Sequence, residues 1–316
     1  MGQRSIRQII EPQWVGQRLD QVVAELLCRE LAESISKGKA RGLIVAGAVY
    51  LNRKRVRIAS KTLREGAHLE VIFDPRKLKQ PSALIPIQFE KLSREQILFE
   101  DADFILVNKP QGLPTQPTLD EARVNLYSLV KKWVRESEGC AQPYVGLHHR
   151  LDRDTSGVVL FTKSKRVNRS ISEQFQNHTL VKKYWALVPK KDLKVGDEWS
   201  MRQPLGPTRK LPSGVQLYGY KKDGKPAETQ ARCIKVYAQV ALLELTPLTG
   251  RTHQIRAHLF EAGFPIVGDP WYQVEEPKEK ENGALALHAC SLTFFHPIKE
   301  SNMTIEAPAP AQFMLD

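Results

Sequence analysis

The chain has 316 residues, of which 41% are hydrophobic and 26% charged, and it carries a formal net charge of +12. That balance fits a soluble globular protein with room for two domains, and it excludes a membrane-embedded chain, since no apolar run approaches the length a bilayer requires. A basic excess of this size points to an acidic partner, of which nucleic acid is the usual one.

The charge is uneven. Residues 1–79 hold 16 Lys and Arg against 8 Asp and Glu, so the front supplies +8 of the total. This asymmetry predicts a dedicated basic module there. Cys28, Cys140, Cys233 and Cys290 are far apart with no C-x-x-C pair. Neither a zinc site nor a disulfide framework is expected, and a reducing compartment fits. The opening MGQRSIRQIIEP lacks an apolar signal core, and Ile6 stands where a myristoylation pattern requires Ser or Thr, so a cytoplasmic protein is expected.

Residues 1–16 read as an arm or a leading strand. From Gln17 the pattern turns helical, with Leu19, Val22, Val23, Leu26 and Leu27 on one face. Ser36 is a candidate N-cap for a second helix reaching about Ala46, with Lys37, Lys39 and Arg41 near its start. Ala48 to Asn52 reads as a strand, followed by a basic turn from Arg53 to Arg57 and a strand from His68 to Phe73. Lys37, Lys39, Arg41, Arg53, Lys54 and Arg55 form a candidate phosphate-docking set, which would add affinity without reading base sequence. Residues 17–73 resemble the αL RNA-binding module named after protein S4 of the small ribosomal subunit. The resemblance rests on Arg18-Leu19-Asp20, the Ser-Lys start of the second helix, Ala46-Gly47-Ala48-Val49, Asn52 and Glu65-Gly66.

A proline-punctuated basic stretch with Pro75, Pro81 and Pro86 separates this module from the rest. Strands are expected at Ile87–Glu90 and Phe104–Val107, then a turn at Asn108–Gly112 and a helix from Leu126 to Ser137. The segment His149-Arg150-Leu151-Asp152-Arg153-Asp154-Thr155-Ser156-Gly157 leads directly into the apolar run Val158–Thr162. A polar loop fixed by a core strand suits catalytic groups. On the residues alone it serves equally well as an ordinary Asp/Thr/Gly turn. A helix is expected at Val167–Gln176, strands at Val181–Val188 and between Trp199 and Leu245, a helix at His253–Ala262 with Thr252 as N-cap, and a last strand near Ala289–Phe295. The second domain therefore reads as α+β, built on a central antiparallel or mixed sheet.

Other chemistries are less well supported. His148, His149, Asp152 and Asp154 match no familiar metal-ligand spacing, so no metal is expected. Asp152 and Asp154 sit too close in sequence to promise the carboxylate separation of a glycosidase. His253 and His258 could be acid–base groups, although His and Arg near a helix start more often contact phosphates.

Taken together, His149-Arg150-Leu151-Asp152 with Thr155-Ser156-Gly157, and Leu248-Thr249-Gly250-Arg251-Thr252-His253-Gln254-Ile255-Arg256, resemble the RluA-type RNA pseudouridine synthases. Asn108-Lys109-Pro110, Lys183-Tyr184, Lys225 to Thr229, Gly263 to Asp269 and Leu287-His288-Ala289 follow the family's order. The likeness spans roughly residues 88–312. It implies a domain layout of arm 1–16, S4-like module 17–74, linker 75–87 and catalytic domain 88–316. It also implies isomerisation of uridine to pseudouridine in structured RNA, with large-subunit ribosomal RNA of the 23S type the first expectation and transfer RNA the second. A non-catalytic RNA-binding or ribosome-assembly factor is the rival reading.

The resemblance makes Asp152 the catalytic carboxylate, Arg251 its arginine partner and Tyr184 the ring packed on the base. Arg150 would fill the gap left by an extruded nucleotide, and Ile255 and Leu287 would line the uracil pocket. No cofactor is implied, because the isomerisation is redox-neutral. No membrane is implied either, and a monomer is expected. Gln116-Pro117 and Ala284-Leu285-Ala286 depart from the family pattern, and the charged insertion Glu275 to Asn282 looks local. These departures bear on RNA-edge contacts and hence on substrate choice.

Overall fold

The computed structural model describes residues 4–33, 35–45, 47–75, 89–117, 124–211, 215–273 and 284–315. Ala46, the stretch 76–88 with Pro81 and Pro86, and the charged insertion lie outside the described residues. Two compact units emerge, residues 1–87 with 210–216, and residues 88–209 with 217–316.

In the first unit, α1 (Leu19–Leu31) and α2 (Lys37–Val45) accompany a four-stranded antiparallel sheet of β1 (Arg4–Ile9), β2 (Val49–Leu51), β3 (Lys54–Val56) and β4 (His68–Phe73), in the order β1-β4-β2-β3. The helical spacing of Val22, Val23, Leu26 and Leu27 buries all four with Ala40, Ile44, Val49, Leu69 and Val71. Ser36 starts α2 as expected, its Oγ accepting from Lys39 N at 3.3 Å. Asn52 and Arg53, with φ of 50° and 63°, make the two-residue turn between β2 and β3. Paired left-handed residues match the twist of such hairpins.

The second unit is a mixed ten-stranded sheet with helices. Its strands are β5 (Ile97–Glu100), β6 (Phe104–Lys109), β7 (Gly146–Leu147), β8 (Ser156–Thr162), β9 (Val181–Pro189), β10 (Glu198–Met201), β13 (Thr229–Val236), β14 (Val240–Pro247), β15 (Leu287–His296) and β16 (Ser301–Glu306). The main order is β10-β13-β14-β9-β15-β8-β6-β5, with β16 on β15 and β7 on β8; β11 (Leu205–Lys210) and β12 (Gln216–Tyr220) form a separate ribbon. The helices are α3 (Leu126–Glu138), α4 (Asn168–Gln176) and α5 (Gln254–Glu261).

The α+β reading holds, and the sheet is mixed through the pairing of β8 and β15, which run parallel while the other described pairs are antiparallel. All seven residues of β8 are buried because both faces are covered. Val159 and Phe161 pack with Leu126, Leu129, Val130 and Val134 of α3. Val158 and Leu160 pack with Ile171 of α4 and Phe294. Coverage on both sides explains an unbroken apolar run in place of alternation.

Where β8 meets β15, Gly157 has φ +114° and a Cβ there would lie 2.2 Å from Ala289 O. Only glycine permits this approach, so the Thr-Ser-Gly end of the loop is fixed by backbone contact. The join brings the loop before β8 beside the start of β15, next to β9.

Three sequence expectations change. Phe89 and Glu90 are not in a strand, Ile87 and Gln88 lie outside the described residues, and the sheet in this unit starts at β5. The final strand is β16, beyond the expected one. Thr252 does not cap α5; His253 does, in a left-handed conformation with φ 55°. Among the described residues no helix is long and apolar enough to cross a membrane.

Candidate active site

The loop before β8 is braced from below. Lys109, at the end of β6, is fully buried, and its Nζ donates to the carbonyl oxygens of Leu113 (2.7 Å), Arg153 (2.9 Å) and Pro110 (3.0 Å). Burial pushes its pKa down to about 7, against the opposing pull of Asp154 and Asp152. Gly112 N also reaches Arg153 O, at 2.9 Å. Thr115 Oγ1 both donates to Leu151 O (2.7 Å) and accepts from Leu151 N (3.1 Å). Thr155 N donates to Asp152 O at 3.1 Å, and Arg153 pairs with Asp154 at 2.8 Å. Asp154 therefore holds the loop's shape, and Asp152 is left facing a cleft of about 340 Å³. That volume lies within the usual range for small-molecule sites.

Asp152, Tyr184, Arg251, Arg150, Ile255 and Leu287 all line this cleft. Arg150 is exposed. Ile255 and Leu287 are buried and supply apolar wall. Tyr184 shares the cleft, and its hydroxyl pKa is raised by burial first and then by the Asp152 charge. It therefore keeps its proton at neutral pH.

The pairing expected between Asp152 and Arg251 is not formed. Arg256 takes that place, with Nη1 3.5 Å from Asp152 Oδ2. The cause is the route of the chain into α5. Gln254 Oε1 accepts from Thr249 Oγ1 (2.7 Å) and Arg251 N (3.0 Å), while its Nε2 donates to Glu228 O and Thr229 Oγ1, both at 2.9 Å. So anchored, Arg251 directs Nε to Pro226 O at 2.9 Å. Arg256 falls on the buried first turn of α5, 2% exposed, where Asp269 grips it by two contacts of 2.7 Å. Its guanidinium also lies over the rings of Trp271 (4.7 Å) and Tyr272 (5.0 Å).

His253 is the second group at Asp152, with Nε2 3.8 Å from Oδ2 and Nδ1 3.0 Å from Tyr272 Oη. Burial lowers its pKa, against the pull of Asp152. Sequence reasoning raised His253 but not its position at Asp152, and it missed Arg256. The available signal was the closing Gln-Ile-Arg of the same motif. His258 is elsewhere, bonded to Thr229 Oγ1 and Gln203 O. His149 Nε2 accepts from Leu160 N at 2.9 Å, its ring stacks on Phe175, and burial pushes its pKa down to about 3. His148 bonds Ser172 and Thr162 through its two ring nitrogens.

Among the lining residues Asp152 is the one carboxylate, against the cations Arg150, Lys182, Arg251 and Arg256. Such a cleft suits a polyanion presenting one reactive group to one carboxylate.

In the first unit, Lys37, Arg53, Lys54 and Arg55 are exposed. Arg55 lies over Tyr50 and donates to its hydroxyl at 2.8 Å. Arg41 is turned inward, with Nη2 3.0 Å from the buried carboxylate of Asp20, which Arg18 also holds at 2.8 Å. Arg41 therefore serves the fold of this unit. Lys39 is half-buried.

Two family models match the chain: RNA pseudouridylate synthase over residues 103–261 and S4 domain over residues 17–69. A ribosomal large subunit pseudouridine synthase C of Buchnera aphidicola (subspecies Schizaphis graminum) is 32% identical, covering 96% of this chain and 94% of the relative. The Escherichia coli protein of that name is 33% identical, covering 93% and 89%. An RNA pseudouridine synthase of Aquifex aeolicus is 31% identical, covering 94% and 92%. Among solved structures, human RNA pseudouridylate synthase domain containing 4 superposes with a TM-score of 0.55 at 26% identity, covering 69% of this chain and 89% of that one.

Proposed function

The chain belongs to the RluA-type RNA pseudouridine synthases, with an S4 domain at its front, and from that premise we propose that it isomerises uridine in large-subunit ribosomal RNA, with Asp152 as the catalytic carboxylate. The observation that carries the site assignment is Asp152 standing alone among the cleft's cations, 3.5 Å from a clamped guanidinium. Breaking the bond between sugar and uracil develops positive charge on the sugar, and a fixed carboxylate stabilises it or traps it covalently. The uracil then turns, C5 takes the place of N1 on the sugar carbon, and the proton displaced from C5 passes to solvent while N1 takes one up.

Each neighbour has a task in this reading. Arg256 holds Asp152 in place, itself immobilised by Asp269. Tyr184 packs on the base, its protonated hydroxyl available as a donor. Ile255 and Leu287 bound the uracil. The target base must leave its stack to reach the cleft floor, and exposed Arg150 fills the vacancy. In the first unit Lys37, Arg53, Lys54 and Arg55 add sequence-independent affinity for RNA phosphates.

The choice of ribosomal RNA is supported by the names of the full-length relatives, with transfer RNA the alternative. Mapping pseudouridines in a strain lacking the gene tests it. Loss of one or more sites in large-subunit ribosomal RNA is the expected result; intact ribosomal sites with a lost transfer-RNA site would move the target.

A further inference from the structure

The cleft holds more positive charge than Asp152 can answer. Lys182 and Lys183 are neighbours on β9, and strand alternation turns them to opposite faces. Lys183 ends on Glu244, with Nζ 3.0 Å from Oε1. Lys182 shares the face of Tyr184 and lines the cleft. It is half-buried, and among the described residues its ammonium has no hydrogen bond or ion pair. Burial alone lowers its pKa.

His178 and Arg251 line the same cleft. The charges of both Lys182 and Arg251 act on the His178 imidazole. Arg251 uses Nε on Pro226 O and makes no ion pair among the described residues, so its two terminal nitrogens remain available. Asp152 is already engaged by Arg256 and His253. Both cations line the cleft without an anion of their own among the described residues, and a ligand that supplies one gains charge-assisted hydrogen bonds from them.

We propose that Lys182, Arg251 and His178 form a subsite for a backbone phosphate adjoining the extruded uridine. The proposal rests on the reading of the cleft as an RNA site and adds to it the group that holds the nucleotide by its backbone. Lys182 supplies a point charge, Arg251 a planar pair of donors and His178 a ring N–H at the exposed rim. A phosphate carries no base information, so the subsite positions whichever uridine enters.

The test is the salt dependence of binding of a short fluorescein-labelled oligouridylate to the full-length chain, read by anisotropy over a range of KCl concentrations. Lys182→Met should weaken binding about tenfold and reduce the slope of log K against log salt by about 1. Lys182→Arg should restore most of both, and Lys183→Met should leave both unchanged. Arg251→Met gives an independent reading of the same slope if Lys182→Met is unstable. An unchanged slope in Lys182→Met and Arg251→Met would overturn the proposal, as would Lys183→Met matching Lys182→Met. A weaker affinity with the wild-type slope would place Lys182 on the base or sugar and overturn it too. Tritium release from [5-³H]uridine RNA by the wild type reports on the isomerase reading separately, so the two can fail independently.

Discussion

Arg256 Nη1 lies 3.5 Å from Asp152 Oδ2, while Asp269 grips the same guanidinium through two 2.7 Å contacts. The arginine thus connects a fully buried carboxylate to the one in the cleft. Arg256→Met should lower kcat by about 10²-fold or more, as losing a preorganised charge at a reacting group does. Arg251→Met should instead raise KM with kcat nearly unchanged. Steady-state kinetics of the two variants on one RNA check this division; a large kcat loss confined to Arg251→Met would reverse it.

Lys109 supplies three donors to three loop carbonyls. Lys109→Met keeps much of the stem but takes the ammonium from the Pro110 and Leu113 carbonyls and leaves Arg153 O, beside the catalytic residue, with Gly112 N alone. A stability loss of about 3 kcal/mol or more is expected from the buried acceptors, together with a fall in kcat as the loop loosens. Urea unfolding measures the first and turnover the second; a variant as stable and active as wild type would remove Lys109 from the account.

His288 on β15 is fully buried, with Nδ1 2.9 Å from Ser156 Oγ. Burial pushes its pKa down to about 4, against about 6.5 for a free imidazole. Between those values the unfolded chain takes up a proton that the folded chain refuses. Stability from this group is therefore present above pH 6.5 and is lost as pH falls toward 4, at about 1.4 kcal/mol per pH unit. The stability difference between wild type and His288→Gln, from urea unfolding, should shrink over that interval. A difference constant with pH would contradict this.

How far the chain could be read without coordinates depends on what each segment advertises. The β8 run was legible because a strand buried on both faces is continuously apolar, and the loop before it carried the family's motif. Strand β16 was not legible, since its apolar face is only Met303 and Ile305, half-buried among polar neighbours, which is too short an alternation to stand out. The arginine at Asp152 was misassigned for a geometric reason. Arg251 and Arg256 stand five residues apart in one motif, and the left-handed turn at His253 decides which of them faces the carboxylate. Sequence spacing does not encode that turn, because non-glycine residues seldom adopt it. Arg41 looked like part of a phosphate-docking set for want of any sign that Asp20 is buried beneath it.

The two kinds of basic residue in the first unit should separate experimentally. Arg41→Ala leaves buried Asp20 with Arg18 alone and should cost about 1–3 kcal/mol of stability. Lys54→Ala, at an exposed strand position, should leave the melting temperature unchanged and lower the salt slope of RNA binding by about 1. Thermal melting and filter binding distinguish them; equal melting temperatures would show Arg41 to be dispensable for the fold.

The central claim is that the Asp152 carboxylate carries out the isomerisation. Asp152→Asn is nearly isosteric and keeps the loop's backbone contacts, so it should bind unmodified ribosomal RNA transcripts within a few-fold of wild type. Tritium release from [5-³H]uridine in those transcripts reports turnover directly, and the account predicts none above background for Asp152→Asn beside robust release by the wild type. Release by Asp152→Asn at a rate near that of the wild type would contradict it.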